Sequence, residues 1–343
     1  MPSRVDPLLP AAALERLLGG PAAALELLGG GGNSRVYRVA RADGVPFALK
    51  AYFRHPDDPR DRLGAEMAAL AFMRGQGLAC VPRPLGCDPG AGLGLYEFIE
   101  GEPPGAPSAA DLDAAAGFLG RLHELRLSPA AAGLPEASEA RFSLAAVAGN
   151  VEARLQTLAA GAPALAGFLD GQLVPAWRAL LAACRRDCAA AGVPFDQDLA
   201  PAGRTLSPSD FGFHNALRRN GQLVFLDFEY FGWDDPAKLV ADVLLHPGMA
   251  LDPALRRRLA EGILAACGDP PGLRDRVRLA YPLFGIKWCL IMLNEFLPGH
   301  LDRRRFAQPA AGSAAERQAR QLAKTRAKLQ QIRDTHDPFA PAP

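Results

Sequence analysis

Cysteine is scarce in this chain, with six residues in 343, at positions 80, 87, 184, 188, 267 and 289. They are too few and too scattered for a disulfide framework in a protein this long, which points to a reducing compartment. Cys184 and Cys188 share a helical face at i, i+4, but no second Cys or His pair at ligand spacing follows, so they read as ordinary thiols. Net charge is equally sparse: 38 Lys and Arg against 37 Asp and Glu leave a formal +1, which exerts no overall pull toward nucleic acid or a membrane surface. Long apolar runs are missing too. The most apolar segment, around 279 to 297, contains Lys287, Asn294 and Glu295 and does not read as a membrane span. The N-terminal MPSRVDPLLPAAALERLLGG is interrupted by Asp6, Glu15 and Arg16, where a signal peptide would be unbroken. A cytoplasmic location is expected. No internal repeat is present, and nothing in the pattern specifies an oligomeric state.

What is present is a globular mix, 49% hydrophobic and 22% charged, in a chain long enough for two cores. Charge is uneven: residues 251–343 carry 16 Lys and Arg against 9 Asp and Glu, so the C-terminal part is basic. Residues 25–101 have strand punctuation. ALELL runs into GGGGNS, and RVYRVA and VPFALKAYF flank Asp43-Gly44, a hairpin turn signal. With Asp43 and Gly44 as the two turn residues, Val39 faces Ala48 and Tyr37 faces Lys50. LGAEMAALAFMRG then reads as an amphipathic helix carrying Glu66, and VPRPLG and LGLYEFIEG as two more strands. GEPPGAPS at 101–108 is a linker. Beyond it the pattern turns helical, in DLDAAAGFLGRLHEL, LAAVAGNVEARLQTL, the Ala/Leu-rich stretch 164–191, PALRRRLAEGILAACG, LRLAYPLFGIKWCLIMLNEFL and the basic AAERQARQLAKTRAKLQQIR.

The chemistry concentrates in LSPSDFGFHNAL (206–217) and LVFLDFEY (223–230). Between them stands Asn220-Gly221, a second hairpin turn signal. Counting outward pairs Arg219 with Gln222, Leu217 with Val224 and Asn215 with Leu226, so Asn215 and Asp227 reach the same hairpin end, roughly 5 to 8 Å apart. A carboxamide oxygen and a carboxylate converging without Cys or His make a hard-oxygen site suited to Mg²⁺ and phosphate. Asp210, in the loop that feeds the hairpin, is placed to accept a proton from an attacking hydroxyl. Gly30, Gly31, Gly32, Asn33 and Ser34 lack the Lys-Ser/Thr ending of a P-loop and precede a strand. Such a loop can instead close backbone N–H groups over phosphates, with Lys50 on the next strand reaching them. Glu66 is the obvious carboxylate to fix that lysine, with Glu97 and Glu100 as weaker candidates.

In order and spacing, the glycine loop, Lys50, Glu66, the YEFIEGEP hinge, the Asp-x4-Asn motif and LDFEY resemble the aminoglycoside phosphotransferase and choline kinase family. That family is a branch of the protein-kinase-like fold, and the resemblance covers about residues 20–300. It implies a two-lobed α+β protein: a small nucleotide-binding lobe with an antiparallel sheet (1–100), then a larger, mainly helical lobe with catalytic loop, metal site and acceptor pocket (101–343). It also implies ATP and Mg²⁺ as cofactors. Lys50, paired with Glu66, would hold the α- and β-phosphates, Asp210 would be the catalytic base, and Asn215 and Asp227 would hold Mg²⁺. Glu229 would be an additional acidic group, and Glu97, Phe98 and Ile99 would offer backbone groups to adenine. The helices after the metal strand would line the acceptor pocket, which makes Trp288, Asn294 and Glu295 acceptor-side candidates. Asp235 would cap a helix, and His123 would be satisfied in the core. The family writes His-Gly-Asp at the catalytic loop, where this chain has Pro208-Ser209-Asp210.

The function expected is transfer of the ATP γ-phosphate to a hydroxyl of a small molecule, such as a sugar, an amino alcohol or an aminoglycoside-like compound. The alternative is a catalytically impaired, nucleotide-binding pseudokinase. A protein kinase is disfavoured, because nothing after Asp227 resembles an activation segment with an Ala-Pro-Glu anchor.

Overall fold

The computed structural model describes residues 9–30, 32–54, 58, 60–249, 251–300, 306, 313–335 and 337–340. The chain folds into two compact units, each assembled from separate stretches. The first comprises Met1–Pro104, Asn215–Tyr230 and Leu301–Ala311; the second comprises Gly105–His214, Phe231–His300 and Gly312–Pro343.

The first unit is built on a five-stranded antiparallel sheet of β1 (Ala24–Gly30), β2 (Ser34–Ala40), β3 (Pro46–Tyr52), β4 (Pro84–Asp88) and β5 (Leu93–Glu97), in the order β1-β2-β3-β5-β4. Alternation along the strands sorts the faces. Tyr37, Val39, Leu49, Ala51, Leu93 and Leu95 pack with Ala13, Leu14 and Leu18 of α1 (Ala11–Leu18) into one apolar core. Lys50 and Tyr52 fall on the alternate positions.

The β2–β3 register differs by one residue from the sequence expectation: Tyr37 faces Leu49 and Val39 faces Phe47, while Lys50 lies opposite Val36. The turn is one residue longer than an Asp-Gly pair. Gly44 N–H donates to Arg41 O at 3.0 Å, and Gly44 has φ +79°, so Ala42, Asp43 and Gly44 form a three-residue loop with a left-handed glycine at its end. The observed register puts apolar residues opposite apolar residues. The expected one would have paired Tyr37 with a charged lysine on the core face.

Helix α2 (Arg62–Gly75) starts at Asp61, whose carboxylate accepts Gly64 N–H at 2.9 Å. It buries Leu63, Glu66, Leu70 and Met73. This unit also holds the hairpin of β7 (Ala216–Arg219) and β8 (Gln222–Phe225), in the register counted from the sequence. Asn220 and Gly221 both have positive φ, 51° and 81°, as the tightest hairpin turn requires. Leu226 N–H donates to Asn215 O at 2.8 Å, which extends the pairing to the predicted end.

The second unit is mainly helical. Its helices are α3 (Ala109–Leu125), α4 (Leu144–Gly161), the single turn α5 (Ala166–Phe168), α6 (Val174–Ala191), α7 (Pro236–Leu245), α8 (Pro253–Ala266), α9 (Leu273–Met292) and α10 (Ala314–Asp334). The only strands described in it, β6 (Thr205–Ser207) and β9 (Gly232–Asp234), pair antiparallel. Helix α9 is the axis of this core, with Tyr281, Leu283, Phe284, Ile286, Cys289 and Leu290 each 2% exposed or less. The basic α10 docks through a narrow stripe: Thr325, Leu329 and Ile332 are buried, and a Cβ on Gly285 of α9 would sit 2.5 Å from Ile332 Cδ1. Among the described residues no helix is long and apolar enough to cross a membrane.

His123, near the end of α3, is buried and pairs its Nδ1 with Thr205 Oγ1 of β6 at 3.0 Å. Burial, reinforced by Arg126, pushes this imidazole down to about 4. A folded-state value below the unfolded value of about 6.5 means stability that is present above pH 6.5 and is lost as pH falls toward 4. His123→Gln removes the titrating group. Its melting temperature is expected to fall less steeply than the wild type's between pH 7 and 4.5, and parallel curves would remove His123 from the acid limb.

Candidate active site

In the first unit four of the expected residues converge. Lys50 of β3 places Nζ 2.6 Å from Glu66 Oε2, 2.7 Å from Asp227 Oδ1 and 3.5 Å from Glu229 Oε2. Strand β3 fixes the lysine, helix α2 presents Glu66, and the segment after β8 brings Asp227 and Glu229. The neighbouring Lys50 position on β5 is Gly94, where a Cβ would lie 2.5 Å from the Tyr96 hydroxyl. That glycine leaves space for Tyr96, whose hydroxyl pairs with Tyr52 at 2.7 Å while Tyr52 donates to Glu66. Glu66 also accepts Phe228 N–H at 3.3 Å, so the helix carboxylate holds both the lysine and the backbone of the Asp227 segment.

Asp227 has φ +65°. An aspartate in the left-handed region costs about 1 kcal/mol and persists because its surroundings overdetermine it. Burial raises its carboxyl to about 7; Lys50 opposes this, while Glu229 and Glu66 add to it. Lys50 itself stays charged: burial would depress it, but Asp227, Glu66 and Glu229 together hold it well above the usual lysine value.

Glu66, Asp227 and Glu229 each bring a carboxylate oxygen within 4.8 Å of the others, against the Lys50 ammonium and the buried Arg62 guanidinium, whose Nε lies 3.7 Å from Glu229 Oε1. Glu229 Oε2 is buried without a hydrogen bond among the described residues. Oxygen donors gathered this closely, with one donor atom lacking a hydrogen bond, fit a hard divalent cation such as Mg²⁺. The other expected ligand, Asn215, enters the hairpin at the end where Asp227 leaves it.

The glycine loop has a role that the sequence did not signal. Asn33 donates to Glu229 Oε1 at 2.6 Å and to the Tyr230 hydroxyl, tying the loop to the acidic segment. Ser34 is buried at the start of β2, Gly30 ends β1, Gly32 lies in the turn between them, and Gly31 falls outside the described residues. In the hinge, Glu97 accepts Arg83 Nε at 3.3 Å and Arg219 at 3.2 Å. Phe98 lies under the Arg38 guanidinium at 5.2 Å, and Ile99 is buried. Glu97 and Glu100, the weaker candidates for fixing Lys50, are engaged by arginines instead.

Asp210 belongs to the second unit, and the chain passes to the first at His214–Asn215. Asp210 N–H donates to Pro208 O at 2.8 Å across Ser209, whose φ is +65°, a γ-turn with a left-handed centre. Ser209 stands where the family pattern has glycine, and its side chain holds the turn. Its Oγ donates to Ser138 O at 3.0 Å and accepts from Lys238 Nζ at 3.3 Å. Lys238 is fully buried between Asp234 (2.6 Å) and Asp242 (3.0 Å). Asp235 accepts Ala237 N–H at 2.8 Å, capping α7 as expected, and also binds Arg276 at 2.6 Å.

Two imidazoles end on Asp210 Oδ1, His214 Nε2 at 3.3 Å and His246 Nε2 at 3.2 Å. Burial would raise the Asp210 carboxyl, but these two contacts outweigh it and hold it below the usual carboxylate range. His246 lies 36 residues beyond Asp210, at a spacing that carries no motif, so sequence reasoning missed it. Trp288 stands edge-on to His246 at 4.7 Å and donates Nε1–H to Asp242 at 2.9 Å. Asn294 and Glu295 lie not on α9 but in the 3₁₀ turn Leu293–Phe296 that follows it. Glu295 is buried and faces α10, 3.5 Å from Arg317 Nε. Lys287, also missed, is buried 4.0 Å from Glu139 Oε2; burial brings its ammonium down to about 8 against the opposing pull of Asp242.

A family model described as the phosphotransferase enzyme family matches residues 24–279, which spans both units. The chain belongs to that family. Among solved structures, this phosphotransferase is similar to a spectinomycin phosphotransferase, APH(9)-Ia, in complex with ADP and spectinomycin (11% identity, 97% of each chain covered, TM-score 0.61). It is also similar to the gentamicin complex of APH(2")-IIa (16% identity, 98% and 99% covered, TM-score 0.59). A third likeness is to a choline kinase from Cryptosporidium parvum (12% identity, 91% and 90% covered, TM-score 0.57). At these identities the structures establish the kinase-like fold. A search of the curated proteins finds no match.

Proposed function

We propose that this phosphotransferase moves the γ-phosphate of ATP, with Mg²⁺, to a hydroxyl of a small molecule. The observation that carries the reading is Lys50 held at 2.6–2.7 Å by Glu66 and Asp227 beside Glu229, a fixed cation within a cluster of three carboxylates. A bound divalent ion would neutralise charge developing on the transferred group. Lys50 would do the same from a position that needs no reorganisation, because Glu66 anchors it. Asp227, Glu229 and Asn215 are the residues that would hold the ion, and the glycine loop and hinge would hold the nucleotide.

Asp210 would orient the acceptor hydroxyl and take its proton as the new P–O bond forms and the bond to the ADP oxygen breaks. A carboxylate held below its usual pKa range is deprotonated at neutral pH, the state a base must have. Trp288, beside His246, is the acceptor-side candidate with a contact to the Asp210 group. The acidic groups near it are already paired, Asp242 with Lys238 and Glu139 with Arg154. That arrangement suits a neutral hydroxyl compound better than a polycation.

The test is ADP release from MgATP across sugars, amino alcohols, nucleosides and aminoglycosides, with Asp210→Asn as control. Acceptor-dependent turnover is expected, falling on the order of 10³-fold in the variant with MgATP binding retained. Binding without turnover on any acceptor would move the protein to the pseudokinase reading, and no binding at all would sink the site.

A further inference from the structure

We infer that His246 is a positioning residue for Asp210: the loop after α7 locks its imidazole as an Nε2–H donor that orients the carboxylate. This rests on the reading of Asp210 as the base.

Both ring nitrogens of His246 have partners of opposite kind. Gly248 N–H donates to Nδ1 at 3.0 Å, so Nδ1 is an acceptor. In an imidazole carrying one N–H, that hydrogen then sits on Nε2. Nε2 lies 3.2 Å from Asp210 Oδ1, and the bond runs from ring to carboxylate. The same backbone donor argues against a metal ion at these three side chains. Metal on Nε2 would require a hydrogen on Nδ1, pointing at the Gly248 N–H.

The ring is also held in position. His214 stacks on it with centroids 4.0 Å apart and planes 4° from parallel, and Trp288 meets its edge at 4.7 Å. His246 N–H closes α7 by donating to Asp242 O at 2.9 Å. Two glycines make the stack possible. A Cβ on Gly248 would lie 3.0 Å from His214 Nδ1 and 3.1 Å from His246 Nδ1, and one on Gly212 would lie 2.7 Å from His214 Nδ1. Asp210 follows a γ-turn at Ser209, a backbone that on its own leaves the carboxylate plane unset. Two donors on one oxygen set it.

Three variants and one spectroscopic measurement test this. His246→Phe keeps a stacking ring and removes the donor. Its kcat is expected to fall on the order of 10- to 100-fold with KM for ATP and ADP affinity unchanged, since misorientation of a catalytic group costs rate rather than nucleotide binding. His246→Gln, whose amide nitrogen reaches as far as Nε2, is expected to recover most of the rate. In the wild type, long-range ¹H–¹⁵N correlation is expected to show His246 in the Nε2–H tautomer, a readout that needs no turnover. Wild-type kcat in His246→Phe beside a dead Asp210→Asn, or a Nδ1–H tautomer, overturns the inference and leaves Asp210 as base. Full turnover in Asp210→Asn overturns the base itself.

Discussion

Lys50→Met is expected to abolish measurable phosphoryl transfer and, in the same protein, to destabilise the first unit by about 3–5 kcal/mol. The two losses have one origin. Lys50 is 6% exposed, and its ammonium is the near partner of Glu66, Asp227 and Glu229. Met keeps the length and the apolar stem, while the charge and its place over the Tyr52 ring, 4.9 Å from the centroid, disappear. The carboxylates are then buried against one another, at a cost set by desolvation rather than by any lost contact area. A divalent cation can take the place of the ammonium. Addition of Mg²⁺ is therefore expected to raise the melting temperature of Lys50→Met more than that of the wild type, by mass action on the folded state alone. Lys50→Arg is not expected to rescue turnover, because a planar fork cannot occupy the point between Glu66 and Asp227 that a compact ammonium fills. A variant with wild-type turnover, or a loss of stability indifferent to Mg²⁺, would separate Lys50 from the acidic group and undo the reading of this cluster as a phosphate and metal site.

How much of this could be read beforehand divides along a physical line. Local signals travelled well. Asn220-Gly221 set the β7–β8 register because both residues tolerate positive φ, and the helical periodicity around Glu66 put it on a face that packs on the sheet. Where a turn could close in two ways, local reading failed. Asp43-Gly44 matched a two-residue turn, yet burial of Tyr37 and Leu49 on one face favoured the three-residue loop, and the apolar face decided the register. Long-range polar pairings left no trace in spacing. Asn33 and Glu229 are 196 residues apart, and His246 reaches Asp210 across three strands and a helix. The Pro208-Ser209-Asp210 departure was visible, but its compensation was not, since Ser209 relies on Ser138 and Lys238, neither of which a loop motif would include. Asp234, Lys238 and Asp242 form an i, i+4 ladder that a helical reading of FGWDDPAKLVAD could have singled out.

That ladder supports the other large expected effect. Lys238→Met should destabilise the second unit by about 3–5 kcal/mol and, in the protein that remains folded, lower kcat without changing nucleotide affinity. Lys238 is 0% exposed. Its ammonium lies within 2.6 Å of Asp234 and 3.0 Å of Asp242 and donates to Ser209 Oγ at 3.3 Å. Burial already raises the Asp234 carboxyl, and Lys238 is the first group opposing that rise. Removing the lysine lifts it further, so the folded-state pKa moves up from the unfolded value near 4. A raised carboxylate pKa means stability that is present at low pH and lost as pH rises through the raised value. The deficit of Lys238→Met relative to wild type should therefore be smallest near pH 5 and grow toward pH 8. Adding Asp234→Asn, which removes the stranded charge, should recover part of the stability but not the rate. The rate depends on the hydrogen bond to Ser209, which keeps a non-glycine residue at φ +65° directly before Asp210. Equal stability deficits at pH 5 and pH 8 would show that Lys238 acts through packing alone. Recovery of kcat together with stability in the double variant would show that the loop does not need the Lys238–Ser209 bond to present its aspartate.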